Sequence, residues 1–87
     1  MEIIPFGVPI TTCSGSPLRF RLVSSVNEAA IFLFKHWPRC EGDCWFAAVK
    51  QCNDTLEGIG SSEAARTAFI VAAKDAGILH NADVSLP

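Results

Sequence analysis

The chain carries little charge and no excess of positive charge. Asp, Glu, Lys and Arg make up 18% of its 87 residues, whereas roughly 25% is usual in a soluble domain. The formal net charge is −2 and the basic residues are scattered, so the basic stripe of a nucleic-acid-binding domain is missing. A surface this poor in charge is either built from uncharged polar side chains or partly covered by another chain.

Long hydrophobic runs are absent as well. No uninterrupted apolar run is longer than 29–34, which is far shorter than the roughly 20 residues of a membrane-spanning helix. Glu2 stands where a secretory signal would carry Lys or Arg. We therefore expect no membrane partner and a cytoplasmic location, where the four cysteines would stay reduced.

Motifs of catalysis and cofactor binding are also missing. Gly58-Ile59-Gly60 lies between two predicted helices rather than after a strand, so it does not predict a phosphate-binding loop. A cysteine hydrolase could be assembled on paper from Cys44, His36, His80 and Asp43. No family signature surrounds this set, and we expect neither enzyme activity nor a cofactor.

The chain is long enough for one hydrophobic core, so we predict a single domain over 1–87. Residues 3–12 predict a first strand. Because Pro5 and Pro9 cannot donate to a central ladder, this strand is expected at a sheet edge or to be irregular. Residues 14–17 have the composition of a turn and lead into a hairpin.

A second strand is predicted over Leu18–Val23 by a clean alternation. Phe20 and Leu22 are expected to face inward and Arg19 and Arg21 outward. Two arginines on the outer face of a hairpin are what a β-ribbon DNA reader requires. In an acidic chain, however, such a pair indicates a solvated face.

Three helices are predicted, and they cover Val26–Trp37, Cys44–Glu57 and a segment from Ser61 or Ser62 to Ala76-Gly77. Ser25 and Glu28 form a capping box at the start of the first helix, and Pro38 ends that helix. Asp43 is the predicted N-cap of the second helix, and Gly58 is its left-handed C-cap.

The order of predicted elements is β-β-α-α-α-β, with a short last strand over 78–86. This order predicts an α+β fold of two layers, in which three helices pack on one face of a small antiparallel sheet of two or three strands.

The first helix is apolar nearly all round. Ile31 and Phe32 flank its narrow polar strip, and in the third helix Ile70 lies between Arg66 and Lys74. The opposite face of the first helix is formed by Ala30, Leu33, Phe34 and Trp37. Such a helix is buried on more than one side, either between the sheet and the other helices or under a second subunit. Ile31, Phe32 and Ile70 are therefore interface candidates.

Several short motifs together resemble one known family. They are Trp37-Pro38, Gly42, Cys52, Leu56-x-Gly58 and the block Ala65-Arg66-x-Ala68-Phe69 that ends in Ala76-Gly77-Ile78. This set is similar to a small bacterial family catalogued as domain of unknown function nine-eight-two. The resemblance implies a compact α+β fold with Trp37, Pro38, Gly58, Arg66, Phe69 and Gly77 in structural roles, and it supplies no catalytic residue.

A metal or thiol site is the main alternative. His36, Cys40 and Cys44 offer zinc ligands within nine residues, but the second ligand pair of a structural zinc site is missing. Cys44 near a helix N-terminus would have a stabilised thiolate that Cys40 could resolve as a disulfide. The neighbouring acids Glu41 and Asp43 disfavour that thiolate. Neither cysteine belongs to the pattern of the family.

The sequence thus favours a non-enzymatic interaction module that binds itself as a homodimer, or another protein, through its first helix or an open sheet edge. A redox-sensing or metal-binding role of Cys40 and Cys44 is the rival hypothesis.

Overall fold

The computed structural model describes residues 3–14, 19–37 and 41–81. Six elements follow one another: β1 (Pro5–Ser14), β2 (Arg19–Ser25), α1 (Val26–Lys35), α2 (Asp43–Leu56), α3 (Ser62–Ala76) and β3 (Leu79–Asn81). The predicted α+β class, with a small antiparallel sheet and three helices, is confirmed. Pro38, Cys40 and the predicted continuation of the last strand beyond Asn81 lie outside the described residues.

The strand order in the sheet is β2-β1-β3, with both pairings antiparallel. Our prediction that the first strand lies at an edge is wrong, because β1 is central. The predicted irregularity is present as a register shift between Pro5 and Ile10. Among the described residues, β3 pairs with β1 at Thr11 and Thr12, which lie beyond Pro5 and Pro9. Neither proline lies in that described part of the β1–β3 ladder.

The alternation predicted in β2 is present, but its two faces are exchanged. Val23 and Ser25 are buried, whereas Phe20 and Leu22 are 62% and 59% exposed. The prediction that Phe20 and Leu22 face inward is therefore wrong. α1 starts directly after Ser25, so the helices cover the face that the last residues of β2 present. An alternation with a period of two assigns residues to the two faces of a strand, but it does not indicate which face the helices cover.

Side-chain caps fix the starts of α1 and α3. Ser25 Oγ accepts the N–H of Glu28 at 3.1 Å, and Ser61 Oγ accepts the N–H of Ala64 at 3.1 Å, as the sequence predicted. Each cap satisfies one of the amides that a helix start leaves without an intrahelical acceptor.

The ends of α1 and α2 differ from prediction by one or two residues. α1 ends at Lys35 rather than Trp37, with His36 as its C-cap. The N-cap of α2 is Gly42, so Asp43 is the first helical residue and not the cap. A carboxylate still suits this position, because the free amides of the first helical turn attract negative charge.

The helices do not all lie against the sheet. Among the described residues, α1 and α3 contact the strands, whereas α2 contacts α1 and α3 only. α1 and α3 are thus the helices next to the sheet, and α2 packs on these two helices. Three strands about 4.8 Å apart make a sheet too narrow for three helices of about 10 Å diameter.

The core is centred on Phe69 of α3, which is fully buried. Its ring lies edge-on to those of Phe32 and Trp37, with centroid distances of 5.9 Å and 5.5 Å. Ile10 and Val23, which are paired across the sheet, close the core from the other side. Trp37 and Phe69 thus have the structural role that the resemblance implied.

Candidate functional site

The most exposed apolar side chains of the sheet lie on β2, which is an edge strand. Phe20 and Leu22 project from the face that the helices leave uncovered, and Ile31 of α1 is 54% exposed. Leu22 and Ile31 line a shallow depression of about 180 Å³ between β2 and α1. We call Phe20, Leu22 and Ile31 the β2 edge surface.

Hydrogen bonds hold the junction of β2 and α1 in place. Ser24 Oγ donates to Glu28 Oε1 at 2.6 Å. The backbone N–H of Ile4 donates to Asn27 Oδ1 at 2.9 Å, and the N–H of Val26 donates to the carbonyl oxygen of Ile4 at 2.8 Å. The β2 edge surface therefore lies on a scaffold whose local geometry is fixed before any partner binds.

The ladder also determines which backbone groups of β2 face the open edge. The N–H of Cys13 in β1 donates to the carbonyl oxygen of Ile78, away from β2. Backbone groups alternate in direction along an antiparallel strand, so Thr11 points the same way as Cys13. Leu22 lies opposite Thr11. Its N–H and C=O are consequently directed away from β1, toward the open edge.

A second group of exposed aromatic side chains lies between α1 and α2. Phe34 and Phe46 are 60% and 68% exposed, and both rings lie edge-on to that of Trp45. The indole N–H of Trp45 donates to the carbonyl oxygen of Leu33 at 2.9 Å. These rings mainly join the two helices to each other, and they adjoin no open strand.

The three predicted interface residues lie in three different environments. Ile31 is exposed, Ile70 is half-buried and Phe32 is buried at 4% exposure. The prediction for Phe32 is wrong, because its ring packs in the core. The buried face of α1 runs through Ala29, Phe32 and Leu33, whereas Phe34 was expected inside and lies outside. The buried stripe is thus rotated relative to the predicted one.

Sequence reasoning missed Phe20 and Leu22 as surface residues. The signal that could have found them is the position of the Ser25 cap. A helix that begins directly after a strand covers the strand face to which its N-cap residue, here Ser25, belongs. Counting back from Ser25 in steps of two places Val23 on the covered face and Leu22 on the other.

The thiol and metal candidates do not converge among the described residues. His36 is exposed at the end of α1, Cys44 is half-buried near the start of α2, and Cys40 lies outside the described part of the chain. Within that part, no three His, Cys, Asp or Glu side chains are grouped as metal ligands would be. Cys52 is fully buried, and burial raises the pKa of its thiol to about 11.

Arg19 and Arg21, the candidate DNA contacts, are both exposed on β2. They share a strand face with buried Val23, and Arg21 lines the depression between β2 and α1. Arg66 is half-buried on α3. β2 therefore carries two exposed basic side chains. The net charge of the whole chain is −2.

The fold and the β2 edge surface together define a small α+β domain with apolar side chains at an open strand. The chain belongs to the family described as protein of unknown function (DUF982), whose model matches residues 9–80. The resemblance deduced from the sequence is thereby confirmed, and no function is assigned to that family. No curated protein and no solved structure matches the chain. In the described residues, no helix has the length and apolarity needed to cross a membrane.

Proposed function

We propose that this chain is a non-enzymatic interaction module that forms a homodimer by antiparallel pairing of β2 with β2 of a second copy. One observation carries the proposal: an edge strand bears an exposed leucine in its middle. An exposed apolar edge strand is a template for pairing with another strand. Pairing with itself would join two three-stranded sheets into one of six strands.

The charges of β2 select a single register for this pairing. β2 covers Arg19–Ser25, so a twofold axis at Leu22 uses the whole strand. It places Arg21 opposite Val23 and Arg19 opposite Ser25 of the second copy. Each arginine then faces a neutral residue, which avoids the destabilising contact of like charges directly across a ladder.

Neighbouring registers are less favourable. An axis at Arg21 places the two copies of Arg21 opposite each other, and an axis at Phe20 places Arg19 opposite Arg21 of the second copy. A register shifted by one residue from any of these would place the helix-covered face of one copy on the same side as the uncovered face of the other. The reason is that successive side chains alternate between the two faces of a strand. The axis at Leu22 joins backbone groups that point toward the open edge, so the two leucines can exchange both N–H···O bonds.

Burial of the β2 edge surface would supply the apolar part of the binding energy. Complete burial of a leucine or isoleucine side chain contributes about 1.5–3 kcal/mol. In the proposed register the two copies of Leu22 are direct neighbours, and each Phe20 is diagonal to the Leu22 of the other copy. Diagonal neighbours are within reach of an aromatic side chain.

Two further features belong to the proposal. The dimer has two layers, with helices on one face of the joined sheet and Phe20 and Leu22 on the other. The protein acts in the cytoplasm. In support, Cys13, Cys44 and Cys52 are free thiols, as a reducing compartment keeps them.

Sedimentation equilibrium of the wild-type chain and of Leu22→Lys tests the dimer. We expect the wild type to be dimeric at micromolar concentration. The variant should dissociate at least about tenfold more readily, since a lysine at a strand edge opposes pairing. Ile59→Lys is the matched control: Ile59 is 74% exposed and lies outside β2, so this variant should stay dimeric.

A wild-type chain that remains monomeric at high micromolar concentration would overturn the proposal. So would equal dissociation of the two lysine variants, because the effect would then come from added charge alone. The urea midpoints of both variants should match that of the wild-type monomer, since neither side chain is in the core.

A further inference from the structure

A cavity of about 400 Å³ lies where the end of α1, the start of α2 and the end of α3 meet. Its wall combines two indole rings, those of Trp37 and Trp45, with two carboxylates, those of Glu41 and Asp75. Ala72 and Ala76 of α3 form the third side of the cavity, and their small side chains do not fill it. The volume is within the range of small-molecule sites, roughly 300–1,000 Å³.

The aromatic part of this wall is held in place by the core. Trp37 is buried to 9% exposure, and its ring lies edge-on to those of Phe32 and Phe69. Trp45 is fixed through its indole N–H, which donates to the carbonyl oxygen of Leu33. Neither indole needs to be ordered by a ligand, which lowers the entropic cost of binding.

The charges of the wall indicate the class of ligand. Among the described lining residues, Asp75 of α3 and Glu41, in the segment before α2, carry carboxylates. The carboxylate of Asp75 would repel an anion. A metal ion would find few ligands, since indoles do not coordinate it and no ligand cluster is present in the described chain. Tryptophan attracts cations more strongly than the other aromatic side chains do.

We infer that this cavity binds a small organic cation of the alkylammonium or quaternary ammonium class, with its charge between the indoles and the carboxylate of Asp75. A carboxylate beside an aromatic wall satisfies the charge of such a ligand while its alkyl groups leave water. The cavity shares no lining residue with the β2 edge surface, so the inference does not depend on the dimer.

Intrinsic fluorescence provides a direct test, because Trp37 and Trp45 are the only tryptophans of the chain and both line the cavity. The protein is titrated with choline and, in parallel, with 3,3-dimethylbutan-1-ol, which has the same shape without the charge. Ionic strength is held constant with sodium chloride. We expect a saturable change with choline and at least about tenfold weaker binding of the neutral alcohol.

Asp75→Asn removes one charge without changing the size of the side chain, and we expect choline to bind at least about threefold more weakly. The matched control is Glu63→Gln, which removes a carboxylate from the first turn of the same helix, far from the cavity, and should bind choline as the wild type does. Equal binding of choline and the alcohol, unchanged binding in Asp75→Asn, or no saturable signal with choline would each overturn the inference.

Discussion

At the scale of single residues, burial determines the chemistry of the cysteines. Cys52 is fully buried on α2 and burial raises the pKa of its thiol from 9.0 to about 11, because a thiolate loses its hydration inside the protein. Cys13 and Cys44 are only half-buried. The three described cysteines thus differ in burial, and the fold determines which of them is shielded from water.

A fall in stability with rising pH follows from the raised pKa of Cys52. Between pH 9.0 and about pH 11 the unfolded chain loses the thiol proton while the native chain retains it. The unfolded state then binds fewer protons, so the free energy of unfolding decreases as pH rises. We expect a loss of about 2 kcal/mol over this interval.

Urea unfolding at several pH values measures this effect, with Cys52→Ala as the reference. The variant should be less stable at neutral pH, since it loses buried atoms, but its stability should fall less over the alkaline interval. Parallel curves for the two proteins would show that Cys52 is not the group that titrates.

At the scale of elements, the ends of the helices were predicted better than the faces that helices and strands bury. The serine caps of α1 and α3 and the end of α3 at Gly77 were correct, because capping depends on a few neighbouring residues. The C-cap of α2 is Glu57 rather than Gly58, although Gly58 has the predicted left-handed backbone, with φ 84°. The covered face of β2 was wrong, and so was the inward position of Phe34 on α1. Both depend on what packs against the element.

Substitution of Gly77 measures how much the C-cap of α3 contributes to the free energy of unfolding. It adopts φ 74° after α3, and a Cβ added there would meet no other atom within 4 Å. The cost of Gly77→Ala is therefore conformational, about 1–2 kcal/mol for an L-residue in the left-handed region. Gly77→Asn should cost less, because asparagine tolerates that region.

Urea or thermal unfolding of both variants gives the comparison. If alanine and asparagine destabilised the protein equally, the left-handed backbone would not be the reason for glycine at this position.

At the scale of the whole molecule, the sheet is narrow, and among the described strands β2 has a neighbour on one side only. Three strands accommodate two helices, so α2 packs on α1 and α3 rather than on the sheet. Phe20 and Leu22, which precede Val23 in β2, are 62% and 59% exposed. This arrangement explains how a chain with 18% charged residues still has large apolar side chains at its surface.

The proposed dimer places two copies of Leu22 directly opposite each other, which a disulfide can detect. In a background where the cysteines other than buried Cys52 are serine, Leu22→Cys should form a cross-linked dimer on oxidation. Paired residues of this kind have Cα atoms about 5.5 Å apart, within the range of a disulfide. Ser24→Cys is the control and should not cross-link, since Ser24 would lie opposite Phe20. Efficient cross-linking of the Ser24 variant, or of both, would contradict the register.

The sequence by itself determined the α+β class, the three helices with two of their caps, and the family. These features depend on local hydrogen bonds and on spacing along the chain. Tertiary structure alone decided which face of β2 is covered, that Phe32 is buried and Ile31 exposed, and that Trp37, Trp45 and Asp75 line one cavity. Such features depend on contacts between residues distant in sequence, and a periodic pattern contains no information about which partner covers which face.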